Sequence, residues 1–186
     1  KQKTAYEIKE CDWSSDVCSS DLRAALADIN PEVQVEALEE RLDATRLDAE
    51  VARSTVVLDC SDNFATRHAI NRACVKHRVP LVSGAAIRFD GQISVFDLRA
   101  ADAPCYHCLF PEGQDVEPVN CATMGVFAPL TGIIGCTQAA EALKLVAGIG
   151  TSLNGRLLLL DALSMQWTTI GLARDPGCPV CAMQQE

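Results

Sequence analysis

Two short cysteine pairs, Cys105-x-x-Cys108 and Cys178-x-x-Cys181, constrain this chain more than any other feature. Each pair can grip one metal ion through a tight turn, and Pro104, Gly177 and Pro179 supply the turn character. Four thiolates arranged as two such pairs match structural zinc, which takes four sulfur ligands in a tetrahedron at about 2.3 Å. The pairs are 69 residues apart, so one ion would staple residues 177–181 back onto the segment after residue 104. Such a site can contribute on the order of 10 kcal/mol to folding. Disulfides and two redox pairs are the competing readings of the spacing, but no export signal accompanies the cysteines. With every position filled by protein, no water could bind the metal, so a structural role is expected. His107 sits between the first two ligands and is read as a bystander.

The net charge of −9 over 186 residues argues against a nucleic-acid partner, which calls for a basic face. The acidic loop residues Glu112, Asp115 and Glu117 are read as a solvated face. No apolar run reaches the roughly 20 residues that span a bilayer, and a cytoplasmic location is expected. Asp12 to Leu22 (DWSSDVCSSDL) has neither helical nor strand periodicity. It resembles the translation of one frame of a common sequencing-library adapter. Residues 1–22 are therefore expected to be non-native, residues 23–182 to form the domain, and residues 183–186 a tail. Cys11 and Cys18 then drop out of the metal count.

Arg23 to Ile29 reads as the end of a helix stopped at Asn30-Pro31. Val33 to Leu38 alternates apolar and polar residues, as a short strand would. Residues 43–53 have helical character. Ser54 to Cys60 reads as a strand buried on both faces. Asp62 or Asn63 should cap a helix running to about Lys76. Pro80 to Ala86 and Gly91 to Leu98 suggest a hairpin turning at Asp90-Gly91. Residues 99–126 look irregular, Thr131 to Ala147 helical, and 156–161 and 165–172 like two closing strands. Cys60, Cys74 and Cys136 read as core residues. This order implies an α/β fold: an open, partly parallel sheet with an antiparallel extension. In such sheets ligands collect at the carboxyl ends of strands, which points to Asp59–Asn63.

Five ordered segments then become recognisable: LDCSDNFATR (58–67), PLVSGAAIRFDGQISVF (80–96), PCYHCLFP (104–111), NCATMGVFAPLTGIIG (120–135) and GCPVC (177–181). Together they resemble the MoeB/ThiF/HesA family of sulfur-carrier adenylyltransferases, relatives of ubiquitin-activating enzymes with a Rossmann-like fold. The resemblance implies ATP-dependent adenylation of the C-terminal glycine of a small ubiquitin-like carrier, in the molybdopterin or thiamine pathway. It assigns Asp62 to Mg-ATP and Asn63 to the neighbouring nucleotide contact. Arg67, one helical turn on, could face the same pocket and stabilise phosphate charge. Cys121 matches a loop cysteine that is covalently engaged in some relatives. Homodimers are typical, and the 131–147 helix could contribute to such an interface or simply fill the core. SGAAIR looks more like the molybdopterin branch, while GCPVC and MQW lean to the thiamine branch.

The family's phosphate loop, G-x-G-x-x-G, is absent from the 186 residues. Its counterpart is expected upstream of Arg23, which makes this stretch alone inactive in expectation. A non-catalytic zinc-stapled module that binds a ubiquitin-like partner is the alternative. A nicotinamide-dependent dehydrogenase is a weaker rival, because neither the cysteine pairs nor the D-N-x-x-x-R pattern is expected there.

Overall fold

The computed structural model describes residues 17–113 and 125–182, with side chains from residue 22 onward. Cys121 and the acidic residues Asp115 and Glu117 lie outside the described residues. The chain divides into two compact units, residues 1–42 and 43–186.

In the first unit, helix α1 (Val17–Ile29) ends as expected before Pro31. The side chain of Asn30 accepts a hydrogen bond from the Glu32 amide at 3.1 Å, turning the chain. The strand expected at 33–38 does not form. Alternation alone cannot make a strand; the backbone needs a neighbour, and no described ladder includes this segment.

The second unit is a mixed sheet with helices on both faces. Helix α2 (Ala44–Ala52) is capped by Asp43, whose side chain accepts from the Arg46 amide. Strand β1 (Val57–Asp59) pairs in parallel with β2 (Leu81–Ile87), and helix α3 (Phe64–His77) makes the crossover. β2, β3 (Asp90–Phe96), β4 (Arg156–Asp161) and β5 (Gln166–Gly171) follow as antiparallel neighbours. The order is β1-β2-β3-β4-β5.

Side-chain alternation along β2 assigns the two layers. Leu81 packs with Val51, Ala73, Cys74, Phe96 and Tyr106, beneath α2, α3 and the single-turn helix α4 (Tyr106–Leu109). Val82 packs with Ile93, Val95 and Ala142, beneath helix α5 (Ala128–Ala147). Gly84 points the same way as Val82. A Cβ there would stand 2.4 Å from the Gln138 side chain of α5, so only glycine permits this approach. α5 starts three residues earlier than the sequence suggested, with Pro129 in its first turn, and ends at Gly148 with φ 64°. Among the described residues no helix is long and apolar enough to cross a membrane.

Three expectations need correction. β1 is a three-residue strand at the sheet edge, and Leu58 is 41% exposed rather than buried on both faces. The hairpin turns at Arg88-Phe89, not at Asp90-Gly91: Ile87 pairs with Asp90 and Ala86 with Gly91. Arg88 adopts φ 49°, held by hydrogen bonds between its backbone and Gly125 and Phe127 at the start of α5. That tertiary clamp overrides the local turn preference of Asp-Gly. Finally, Cys60 and Cys136 are exposed; only Cys74 is core, and burial pushes its thiol up to about 12. Cys60 follows the edge strand, and Cys136 lies two residues beyond buried Ile134, on the outer side of α5.

Candidate nucleotide turn and sulfur cage

The turn after β1 is held from two sides. The Asp59 carboxylate, 1% exposed, accepts hydrogen bonds from the Ser61 amide at 2.9 Å and the Ser61 hydroxyl at 2.7 Å. From α5, the buried Gln138 amide donates to the carbonyls of Asp59 (3.0 Å) and Val82 (3.3 Å), bridging β1 and β2. Gln138 Oε1 also lies 3.5 Å from the Cys60 thiol.

Arg67 supplies the second hold. It is 7% exposed and donates to the Ser83 hydroxyl (3.1 Å), the Gly84 carbonyl (2.9 Å) and the Ser61 carbonyl. Its guanidinium lies 3.8 Å from Asp59 Oδ2, a buried oxygen with no hydrogen-bond partner among the described residues. A planar guanidinium with several donors suits such a junction. Sequence reasoning allowed Arg67 to face the same pocket and stabilise phosphate charge. In this arrangement it is a clamp under the turn, hydrogen-bonded to Ser61, Ser83 and Gly84.

Asp62 and Asn63 sit on the outer side of that clamp, and both are exposed. Asn63 caps α3, its side chain accepting from the Thr66 amide at 2.9 Å. The Asp62 carboxylate accepts a long hydrogen bond from the Asn63 amide group at 3.3 Å. An open carboxylate at the carboxyl end of a parallel strand, beside a helix N-terminus, suits a hard cation carrying phosphate.

The second cluster lies farther along α3. Cys105, Cys108, Cys178 and Cys181 bring their sulfurs within 4.8 Å of one another. Individual S···S separations are 3.9 Å (105–108), 3.7 Å (105–178) and 3.5 Å (108–181). Zinc bonds of about 2.3 Å at tetrahedral angles demand sulfurs about 3.8 Å apart, so the cage fits that ion. Cys105 and Cys178 are 0% and Cys181 1% exposed, packed with Val75, Leu98 and Val180.

The thiols divide the charge unevenly. The Cys108 contact and burial push Cys105 up, while burial, then neighbouring thiols, push Cys181 up. The hydrogen bond from Cys105 holds Cys108 down. A divalent cation would favour ionisation of the whole set. Arg174 ties the ends of the cage, donating to the Ala101 carbonyl at 2.7 Å and the Cys181 carbonyl at 2.5 Å.

Of the residues singled out from sequence, the four cysteines converge, and Asp62, Asn63 and Arg67 share the other end of α3. Sequence reasoning missed Ser83, Gln138 and Asn71, and it placed Asp59 in the crevice without seeing that it is buried beneath the turn. The available signal was polarity inside apolar runs, such as Ser83 in PLVSGAA.

A family profile described as the ThiF family matches residues 19–180. The sulfur carrier protein ThiS adenylyltransferase of Escherichia coli is 46% identical over 156 residues, 84% of this chain and 61% of that protein. The SAMP-activating enzyme E1 of Haloferax volcanii is 42% identical over 177 residues, covering 94% and 64%. The molybdopterin-synthase adenylyltransferase of E. coli is 44% identical over 162 residues, covering 86% and 63%. The chain thus spans about three-fifths of the length of these relatives. Among solved structures, E. coli MccB with ATP matches at TM-score 0.72 and 18% identity, covering 88% of this chain and 51% of that one. That likeness speaks for the fold alone.

Proposed function

The chain belongs to the ThiF family, and from that premise we propose that the protein serves ATP-dependent adenylation of the C-terminal glycine of a small ubiquitin-like sulfur carrier. The observation that carries this reading is the exposed Asp62 carboxylate on a turn locked from below by Arg67 and Gln138. The names of the relatives support the substrate class, since they act on ThiS, SAMP or molybdopterin synthase.

In this reaction the carrier's terminal carboxylate attacks the α-phosphorus of ATP. A new C–O–P link forms as the bond to the pyrophosphate leaving group breaks. Magnesium, when bound, would offset the phosphate charge. Asp62 would hold it, and Asn63 would contact the nucleotide. Arg67 acts through the backbone, fixing the turn that presents both residues. Cys121 is the candidate nucleophile of a later covalent step with the carrier. The sulfur cage would hold structural zinc, and a homodimer is the assembly of this reading.

Pyrophosphate exchange into ATP tests the proposal. We expect carrier-dependent exchange in a chain that also carries a G-x-G-x-x-G segment, and none from the 186 residues alone. Replacing Asp62 by Ala should abolish exchange while zinc content stays unchanged. Undiminished exchange in that variant would remove Asp62 from the site. Zinc content and nucleotide-free carrier binding alone, with no exchange in the extended chain, would leave a binding module.

A further inference from the structure

The sulfur cage carries more charge than its ion can neutralise. Four thiolates around a divalent cation leave a net charge of about −2 in an apolar shell, which is costly without compensating donors. Two polar side chains face the two sulfurs that are wholly buried. Asn71, 1% exposed on α3, lies with Nδ2 3.7 Å from Cys105 Sγ. His107, 9% exposed, lies with Nδ1 3.6 Å from Cys178 Sγ.

The orientation of each group is decided by a backbone amide that can only donate. The Tyr106 N–H donates to Asn71 Oδ1 at 3.0 Å, so the NH2 of that side chain must face Cys105. The Glu112 N–H donates to His107 Nε2 at 3.3 Å, so the ring proton must sit on Nδ1, facing Cys178. The same device appears twice, from two different elements, on the two sulfurs least able to reach water.

We propose that Asn71 and His107 are positioning residues for the metal site, donating N–H···S hydrogen bonds that stabilise the Cys105 and Cys178 thiolates in the metal-bound state. His107 is therefore not a bystander, and Asn71 joins the helix of the nucleotide turn to the cage. The inference rests on the zinc reading, so its test begins by checking that reading.

The full chain is loaded with cobalt(II), whose sulfur-to-metal charge-transfer bands report thiolate donation directly. Zinc affinity is measured by competition with a chromophoric chelator. Asn71→Asp keeps an oxygen for the Tyr106 amide but removes the donor, and His107→Phe keeps a ring of similar size. Each is expected to move the band to longer wavelength, because a thiolate losing its hydrogen bond is a stronger donor. Each should weaken zinc binding about 10- to 100-fold. His107→Asn, which can return an N–H near the Nδ1 position, should restore the wild-type band. Folded variants with an unshifted band and unchanged affinity would overturn the proposal. So would a His107→Phe shift that His107→Asn fails to rescue, since that marks lost packing. A wild-type chain with no tetrathiolate cobalt spectrum would remove the zinc reading itself, an outcome distinct from these.

Discussion

The two ends of helix α3 are built for opposite tasks. At its first turn, Asp62 and Asn63 face water while their anchors, Arg67 and Asp59, are buried beneath them. Two turns later, Asn71 and Val75 reach a cage in which three of the four cysteines are buried and Cys108 is half-buried. The open end keeps its chemistry accessible and hides its support. The closed end hides the chemistry, as suits a cross-link. On the proposed function, one helix would carry a site that must exchange ligands and a site that must not.

The largest expected effect comes from opening the closed end. Cys105→Ser should abolish zinc binding and remove the metal-linked part of stability, on the order of 10 kcal/mol at saturating zinc. Thermal unfolding with and without a chelator checks this: the wild type should lose stability on chelation, and the variant should not respond. Next, Arg67→Met leaves Asp59 buried without its counter-charge and should cost about 3 kcal/mol. Urea unfolding measures it, and an unchanged midpoint would mean that the turn needs no clamp. Gly84→Ala pushes a methyl group into Gln138 and should cost about 1–3 kcal/mol, with relief in the double variant Gly84→Ala, Gln138→Ala.

A smaller effect is set by pH. His68 is 4% exposed, its Nδ1 has no hydrogen-bond partner among the described residues, and burial holds its pKa below the usual value. The unfolded chain then binds the proton more readily. Stability should fall as pH drops through about 6.5, the unfolded value, and level off below the folded one. The difference in urea midpoint between wild type and His68→Phe, followed from pH 8 downward, isolates the effect. Asp62→Asn should be the smallest in stability, within about 0.5 kcal/mol, yet magnesium-dependent nucleotide binding should disappear. A large loss of stability there would erase the contrast between the two ends of α3.

The cage was legible because spacing alone carries it: x-x between cysteines and turn residues beside them. The helices were legible through their stops, Asn30-Pro31 and Gly148. The segment at 33–38 was misread because strand formation depends on a partner, which periodicity within one segment cannot report. The hairpin turn shifted because Arg88 is clamped by residues 37 and 39 positions downstream, Gly125 and Phe127. Asn71 and Gln138 were invisible for a related reason. A single polar residue in a helix looks solvent-facing until its tertiary partner is known. Arg67 was placed at the correct end of α3, but its buried hydrogen bonds to Ser61, Ser83 and Gly84 were not foreseen, since a guanidinium reads as a ligand group whether it points outward or in.

The strictly sequential sheet has a consequence for biogenesis. Each strand from β2 onward lies beside the one synthesised just before it, so pairing can advance in order as the polypeptide lengthens. The four sulfurs obey a different clock. They cannot meet until residue 181 has emerged, long after Cys105. A ribosome-bound nascent chain can pair β1, β2 and β3 early, whereas β4 and β5 emerge only shortly before the last cysteine, and metal capture waits for residue 181.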